Sequence, residues 1–420
     1  MRHHSPLLVV SALALAACAG PVHVVQPEPP PPYDLALVAQ IDGALARAAT
    51  FLIERQEPDG AWRSTTYGAF RDGFSLSPVI LKALAFAHAT EGTGLAVVRG
   101  QAYLATLVDS KGQLPWLGYP VYTLSMSAIV LSLSGDPAHR VVRDRLVEEL
   151  RARQLDEANG WPPDDVSYGG WGYFDGPVTR PAPGAEIPEL LSSNLPSTMV
   201  AIGALRLVGV PADDPALKKA LAFVRRCENF TADPAQADPA FDDGGFFFTP
   251  ANDVQNKAMG GVDLHGRKRY RSYGSMTAEG IRALTRLEVP KDDPGLVAAS
   301  RWLQKRFSPA KPPGDYPQIR FVQRDSVFFY WSWSAAHALQ GLGIRVLDPE
   351  LRQLPWPEQL ARELLSRQRP DGSFVNGSSD MKEDDPLVAT PLAMAGLGIA
   401  RRVMAGDSTV PAAPGPPAGR

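Results

Sequence analysis

Acid–base chemistry, if this chain performs any, has few places to reside. Glu279 interrupts "YGSMTAEGIRALTRL", a segment otherwise nearly free of charge. A buried, unpaired carboxylate is costly and shifts towards its protonated form, as a general acid requires. Asp325 opens "RDSVFFYWSWSAAHAL" and His337 stands near its end. Each acid has a structural alternative: Glu279 as the ion-pair partner of Arg282, and Asp325 as the N-cap of the helix that follows it. The same segment brings Phe328, Phe329, Tyr330, Trp331, Trp333 and His337 within four helical turns. Aromatic faces on a cavity wall suit an apolar or cationic ligand, and the competing role is plain core filling. A basic set lies in the loop Phe246–Met276, with Lys257, Arg267, Lys268, Arg269 and Arg271. That loop leads to helix N-termini, whose dipoles favour anions, so it either holds a phosphate, diphosphate or carboxylate head group or is simply solvated.

No metal site and no cofactor motif is read. If Cys18 is modified, Cys227 is the only thiol left, which excludes an internal disulfide and a cysteine-based zinc cluster. A single cysteine of this kind is most simply a small buried hydrophobe. The first residues have the pattern of a secretory signal: Arg2 and two histidines, an apolar run from Leu7 to Ala17, then Leu15-Ala16-Ala17-Cys18. Those last four residues resemble the bacterial lipobox, which implies a signal peptide over 1–17 and a diacylated Cys18. The proline-rich stretch 18–34 reads as an extended tether and 406–420 as a disordered tail. Together these place the protein in a bacterial cell envelope, lipid-anchored to a membrane, periplasmic or associated with the outer membrane. The 420 residues have a formal net charge of −3, with 45% hydrophobic and 21% charged. That balance allows a large core and gives no electrostatic reason to expect nucleic acid as a partner.

The elements that must position these residues are helices. From 35 to 405 helical patterning recurs without a convincing alternating strand, so the fold is expected to be all-α, with twelve helices in six pairs. First members are amphipathic, as in Asp42–Gln56, Arg143–Gln154, Ala216–Cys227, Leu296–Phe307 and Pro357–Gln368. Second members, such as "VYTLSMSAIVLSLSG" and "NLPSTMVAIGALRLVG", are almost uncharged. A helix apolar all round must be surrounded, so these are inner helices, and the alternation describes a closed double ring. Outer-to-inner links are long and inner-to-outer links mostly short, which crowds loops at the end where inner helices begin. That end is the expected functional face.

Helix endings repeat: Gln56…Asp59-Gly60-Ala61-Trp62, Gln154…Asn159-Gly160-Trp161 and Gln368…Asp371-Gly372-Ser373-Phe374, with weaker forms at Lys111-Gly112-Gln113-Leu114 and Asp243-Gly244-Gly245-Phe246. Glycine after a helix supplies a left-handed cap, and the glutamine amide can satisfy orphan groups of the next outer helix. This pattern resembles the QW-type repeat of the squalene cyclase and protein prenyltransferase β-subunit superfamily, across nearly the whole of 40–400. The resemblance implies a single α/α toroid of six helix pairs. The run Ser272–Thr277 is similar to bacterial proteins carrying prenyltransferase and squalene-oxidase repeats.

The chemistry of that superfamily does not follow. Its cyclases use an Asp-x-Asp-Asp acid motif, and the clusters Asp164-Asp165, Asp242-Asp243, Asp292-Asp293 and Glu383-Asp384-Asp385 lack the first aspartate and read as solvated turns. Prenyltransferases bind zinc through Asp-x-Cys, but Arg225 stands two residues before Cys227, and neither His88 nor His337 has a matching cysteine. The Gly-Cys-Gly-Glu-Gln of thioester domains is missing. The expectation is therefore an anchored toroid that binds an amphiphilic, isoprenoid-like ligand or a protein partner at its loop-rich end. The rival expectation is an atypical isoprenoid cyclase or transferase, or a polysaccharide-active enzyme, using Glu279 or Asp325 as acid.

Overall fold

The computed structural model describes residues 33–86, 92–347 and 355–406; Cys18, His88, the expected signal, tether and tail lie outside them. Six outer helices are α1 (Leu35–Ile53), α3 (Thr93–Ala105), α5 (Pro137–Ala152), α7 (Pro215–Arg226), α9 (Pro294–Arg306) and α12 (Trp356–Arg367). Six inner helices are α2 (Ser77–Phe86), α4 (Pro120–Ser132), α6 (Leu195–Leu207), α8 (Gly274–Arg286), α11 (Phe328–Gly341) and α13 (Pro386–Met404). A short α10 (Phe321–Asp325) precedes α11.

Helix starts follow from local chemistry. Asp136-Pro137, Asp214-Pro215, Asp293-Pro294 and Asp385-Pro386 each place a capping carboxylate before a proline that needs no hydrogen-bond partner for its nitrogen. Asp34 caps α1 in the same way, accepting from Ala36 and Leu37, so this helix begins a turn and more before the expected Asp42. Each inner helix packs against the next in the order α2, α4, α6, α8, α11, α13, and α13 returns to α2. The inner ring is therefore closed, and the all-α toroid is the observed fold. Inner helices such as α4 and α6 are buried along almost their whole length, whereas α5 buries only Leu146 and Leu150.

The loop between α7 and α8 contains one departure from helix, a small antiparallel hairpin of β1 (Gly260–Val262) and β2 (Lys268–Tyr270), with Gly261 opposite Arg269. It is too short to show as an alternating strand in the sequence.

The repeated glutamines tie neighbouring outer helices. Gln56 Nε2 donates to the carbonyls of Gly60 (2.9 Å) and Ala96 in α3 (2.9 Å). Gln368 Nε2 donates to Gly372 (3.0 Å) and Ala44 in α1 (2.8 Å), closing the outer ring. Gln154 Nε2 donates to Ala216 in α7 (2.8 Å), but its second acceptor is Gly169 (2.7 Å) rather than Gly160. The expected Gly160-Trp161 is thus not the equivalent of Gly60…Trp62; Gly169-Gly170-Trp171 is. Trp171 Nε1 donates to Leu150, four residues before Gln154, just as Trp62 Nε1 donates to Leu52, four residues before Gln56. Trp161 instead joins a separate small cluster with Leu155, Tyr168 and Leu191.

A second regularity locks each turn to its inner helix. The backbone N–H groups of Trp62, Trp171, Phe246 and Phe374 donate to the hydroxyls of Ser77, Thr198, Thr277 and Thr390, at 2.9–3.1 Å.

Candidate functional site

The ring encloses a cavity of about 730 Å³. Its middle is aromatic. Tyr122 from α4, Tyr330 and Trp333 from α11, and Tyr173 and Phe248 from the long loops face it. The rings of Tyr122 and Tyr173 lie 6.0 Å apart, and those of Tyr330 and Trp333 5.7 Å apart. Burial raises the hydroxyl pKa of Tyr122, Tyr173 and Tyr330 well above 10, so all three remain neutral.

Helical periodicity divides the aromatic segment. Tyr330, Trp333 and His337 stand at i, i+3 and i+7 and face the cavity. Phe328 and Trp331, expected beside them, point outward: Phe328 packs on Phe329 and under Arg367, and Trp331 packs on Phe307 with Nε1 donating to Ser308. These two are core filling between the rings, not cavity wall.

The expected acids fare differently from one another. Asp325 ends α10, is exposed, and pairs with Arg324 at 2.7 Å; the residue before α11 is Val327, so Asp325 neither caps that helix nor lines the cavity. Glu279 is fully buried in α8 and accepts from Arg282 at 2.6 Å and from Ser334, the structural ion-pair arrangement. Three other acids line the cavity, Asp175, Asp380 and Glu383, the last of them expected in a solvated turn. Glu383, 1% exposed, lies just before α13. It accepts the backbone N–H groups of Phe329 (2.9 Å) and Tyr330 (2.8 Å), capping α11 from another segment, and accepts also from Asn376 (3.0 Å). Burial pushes its carboxyl up to about 7, against the pull of those donors and of Lys257. Asp385 beside it caps α13 and accepts from Ser64. Neither is a solvated turn. The sequence signal was present in the spacing, since Glu383 stands two residues before Asp385-Pro386, the start of a charge-poor inner helix, and so lies at the end of the ring where inner helices begin.

Aspartates from the surrounding loops neutralise the basic loop. Arg269 pairs with Asp242 at 2.8 Å, Arg267 with Asp263 at 2.8 Å, Lys268 with Asp253 at 2.5 Å, and Arg271 with Asp315 at 3.8 Å. None of these four basic residues lines the cavity, so they form no anion pocket on it; Lys257 alone of that set does. Burial lowers its pKa to about 8. Cys227 ends α7 fully buried, and burial raises its thiol pKa well above the ordinary value. Among the described residues no group of three His, Cys, Asp or Glu side chains could hold a metal.

The mouth opens among the long loops and is rimmed by exposed apolar side chains: Trp116 (68% exposed), Val254 (66%), Leu190 and Met381. Lys382 lies over the rings of both Tyr67 and Tyr119 there, and Tyr67 donates to Asp384 at 2.5 Å, joining the first and last long loops.

Solved structures resemble this chain over most of its length. The type II terpene cyclase MstE from Scytonema, in complex with geranylgeranyl dihydroxybenzoate, superposes with a TM-score of 0.53 at 14% identity, covering 89% of this chain and all of that one. An α-1,6-mannanase from Salegentibacter sp. HEL1_6 superposes with a TM-score of 0.50 at 15% identity, covering 87% and 99%. No protein-family model and no curated protein sequence matches the chain. The fold is thus the α/α toroid that terpene cyclase-like and glycosidase-like proteins share. At such identities the likeness establishes architecture and leaves chemistry to the site.

Proposed function

We propose that this protein binds an amphiphilic, isoprenoid-like ligand inside the ring and is held at a membrane of the bacterial cell envelope through a lipidated Cys18. The observation that carries the reading is the cavity. At about 730 Å³ it falls within the range of about 300–1,000 Å³ typical of small-molecule sites, and its middle is walled by aromatic and aliphatic side chains. The exposed apolar rim supports entry from a lipid phase, since such a patch on a protein surface marks a lipid or protein contact. The terpene cyclase neighbour, solved with a geranylgeranyl compound, adds an analogy of fold. Native mass spectrometry and solvent extraction of the purified protein test the reading. A co-purifying or added isoprenoid of C15–C30 bound in the ring is expected. Failure of every such compound to bind would remove it. Cys18→Ser should abolish palmitate labelling and release the protein from membranes.

Glu383 supports a second reading, an acid-initiated isoprenoid enzyme. A carboxyl buried in the cavity wall, with its pKa raised to about 7, is poised to hold a proton near neutrality. Incubation with linear isoprenoids, followed by mass spectrometry for isomeric cyclic products, tests it. Activity that survives Glu383→Gln would assign the acid elsewhere.

A further inference from the structure

At the deep end of the cavity, where the inner helices finish, two cationic side chains, Lys82 and Arg286, have no side-chain oxygen partner among the described residues. The six inner helices contain one carboxylate, Glu279, and six lysines or arginines: Lys82, Arg206, Arg282, Arg286, Arg401 and Arg402. Three of these hold carboxylates and do not line the cavity. Arg282 holds Glu279 at 2.6 Å, Arg401 holds Asp42 at 2.7 Å, and Arg206 holds Glu288 and the carbonyl of Val210. Lys82, Arg286 and Arg402 line the cavity.

Among the described residues Lys82 has no hydrogen bond or ion pair; its ammonium lies 5.2 Å from the centre of the Trp333 ring, on which Arg282 also lies at 4.4 Å. The one side-chain hydrogen bond of Arg286 there runs to the thioether of Met199 at 3.6 Å, a weak acceptor. Helix C-termini at this end offer partial negative charge, which makes cations tolerable. That does not explain why two cationic groups face an open space without an oxygen acceptor. Burial and mutual repulsion hold Lys82 down near 7 and Arg286 near 9, as expected of cations gathered before their counter-ion arrives. His337, beside them, is kept neutral by the same burial and the same charges.

We propose that Lys82 and Arg286, with Arg402 beside them, form an oxyanion site that takes the carboxylate or phosphate head group of the ligand, whose apolar part fills the aromatic middle. This rests on the ligand-binding reading above and reverses the orientation expected from the basic loop: the charged end goes in first, and the chain extends towards the mouth.

Isothermal titration of the full-length protein tests it with four probes: geranylgeraniol, geranylgeranoic acid, geranylgeranyl diphosphate and inorganic diphosphate. Both acidic chains are expected to bind at least tenfold more tightly than the alcohol. Lys82→Met with Arg286→Met should remove that preference, read as the ratio of acid to alcohol affinity, while Lys82→Arg retains it. Equal binding of acids and alcohol by the unmodified protein would overturn the site, as would a preference that survives the double variant. Should the double variant not fold, competition in the unmodified protein decides: inorganic diphosphate must weaken binding of the acids and not of the alcohol. Inorganic diphosphate binding as tightly as the geranylgeranyl diphosphate would show a free-anion site and sink the amphiphile. If no chain binds while inorganic diphosphate does, the ligand-binding reading fails and the anion site stands.

Discussion

Gln368, at the end of α12, donates its side-chain amide to the carbonyl of Ala44 in α1 at 2.8 Å, joining residues 324 positions apart in sequence. The same amide also serves Gly372, and its oxygen accepts from Arg47. Together with the Arg362–Asp34 ion pair at 3.0 Å, this side chain closes the outer ring. Gln368→Ala leaves two carbonyls without this donor and is expected to lower stability by about 1–3 kcal/mol in urea unfolding. A change of a few tenths would show that the ring closes without it.

Gly169 and Gly160 separate the true turn from its near copy. Both have positive φ, +89° and +79°. A Cβ on Gly169 would stand 2.1 Å from the carbonyl oxygen of Lys219, whereas one on Gly160 would meet only the Arg180 side chain at 3.6 Å. Gly160→Ala is expected to cost about 1–2 kcal/mol for the backbone conformation alone. Gly169→Ala adds a forced backbone shift of about 1–3 kcal/mol more. Equal losses in chemical denaturation would contradict the assignment of Gly169 to the repeat.

Glu383 makes stability depend on pH with a definite sign. Its folded pKa, about 7, lies above its ordinary 4.5, so between these values the folded protein binds more protons than the unfolded chain. Its contribution to stability is complete below about 4.5 and is lost as pH rises through about 7. Glu383→Gln should flatten this part of the stability–pH curve. An unchanged slope would mean that Glu383 is ionised throughout.

Lys82 has the opposite slope. Held down near 7 from an ordinary 10.5, it binds fewer protons folded than unfolded, so stability should rise as pH increases from about 7 to 10.5. The groups that set its charge are Arg282, Arg286 and Glu279 of α8, with Trp333 and His337 of α11 alongside. Lys82→Met should raise the melting temperature of the ligand-free protein at pH 6, as removal of a functional but strained group does. A lower melting temperature at that pH would mark Lys82 as structural.

Trp331 and Tyr330, adjacent in sequence, should separate by role. Trp331→Ala removes a fully buried ring and its bond to Ser308, costing about 3–5 kcal/mol. Tyr330→Phe takes one hydroxyl from the cavity wall and should change stability by no more than about 1 kcal/mol, with its effect seen in ligand affinity. Similar unfolding free energies for the two variants would contradict this division.

Much of the architecture was legible because it rests on short-range rules. Asp-Pro helix starts, the charge-poor inner helices and the glutamines that end outer helices are each visible within about one turn of sequence. Gly160-Trp161 misled for the same reason: it has the right letters, and only the packing of α7 against Gly169 distinguishes it from Gly169-Gly170-Trp171.

The site was less legible. An aromatic run such as 328–333 reports that a helix is apolar all round and says nothing of which side faces a void. Arg267 and Arg269 looked like a free basic patch because Asp263 and Asp242, which neutralise them, stand on other turns of the loop.

By itself, the sequence determined the helices, their alternation between outer and inner rings, and the end at which long loops gather, because these follow from local caps and from the burial each helix face requires. Tertiary structure alone decided which charges are spent on partners and which face the cavity. Glu383, Lys82 and Arg286 are separated by tens to hundreds of residues, and their desolvation and neighbours exist only once the ring has closed.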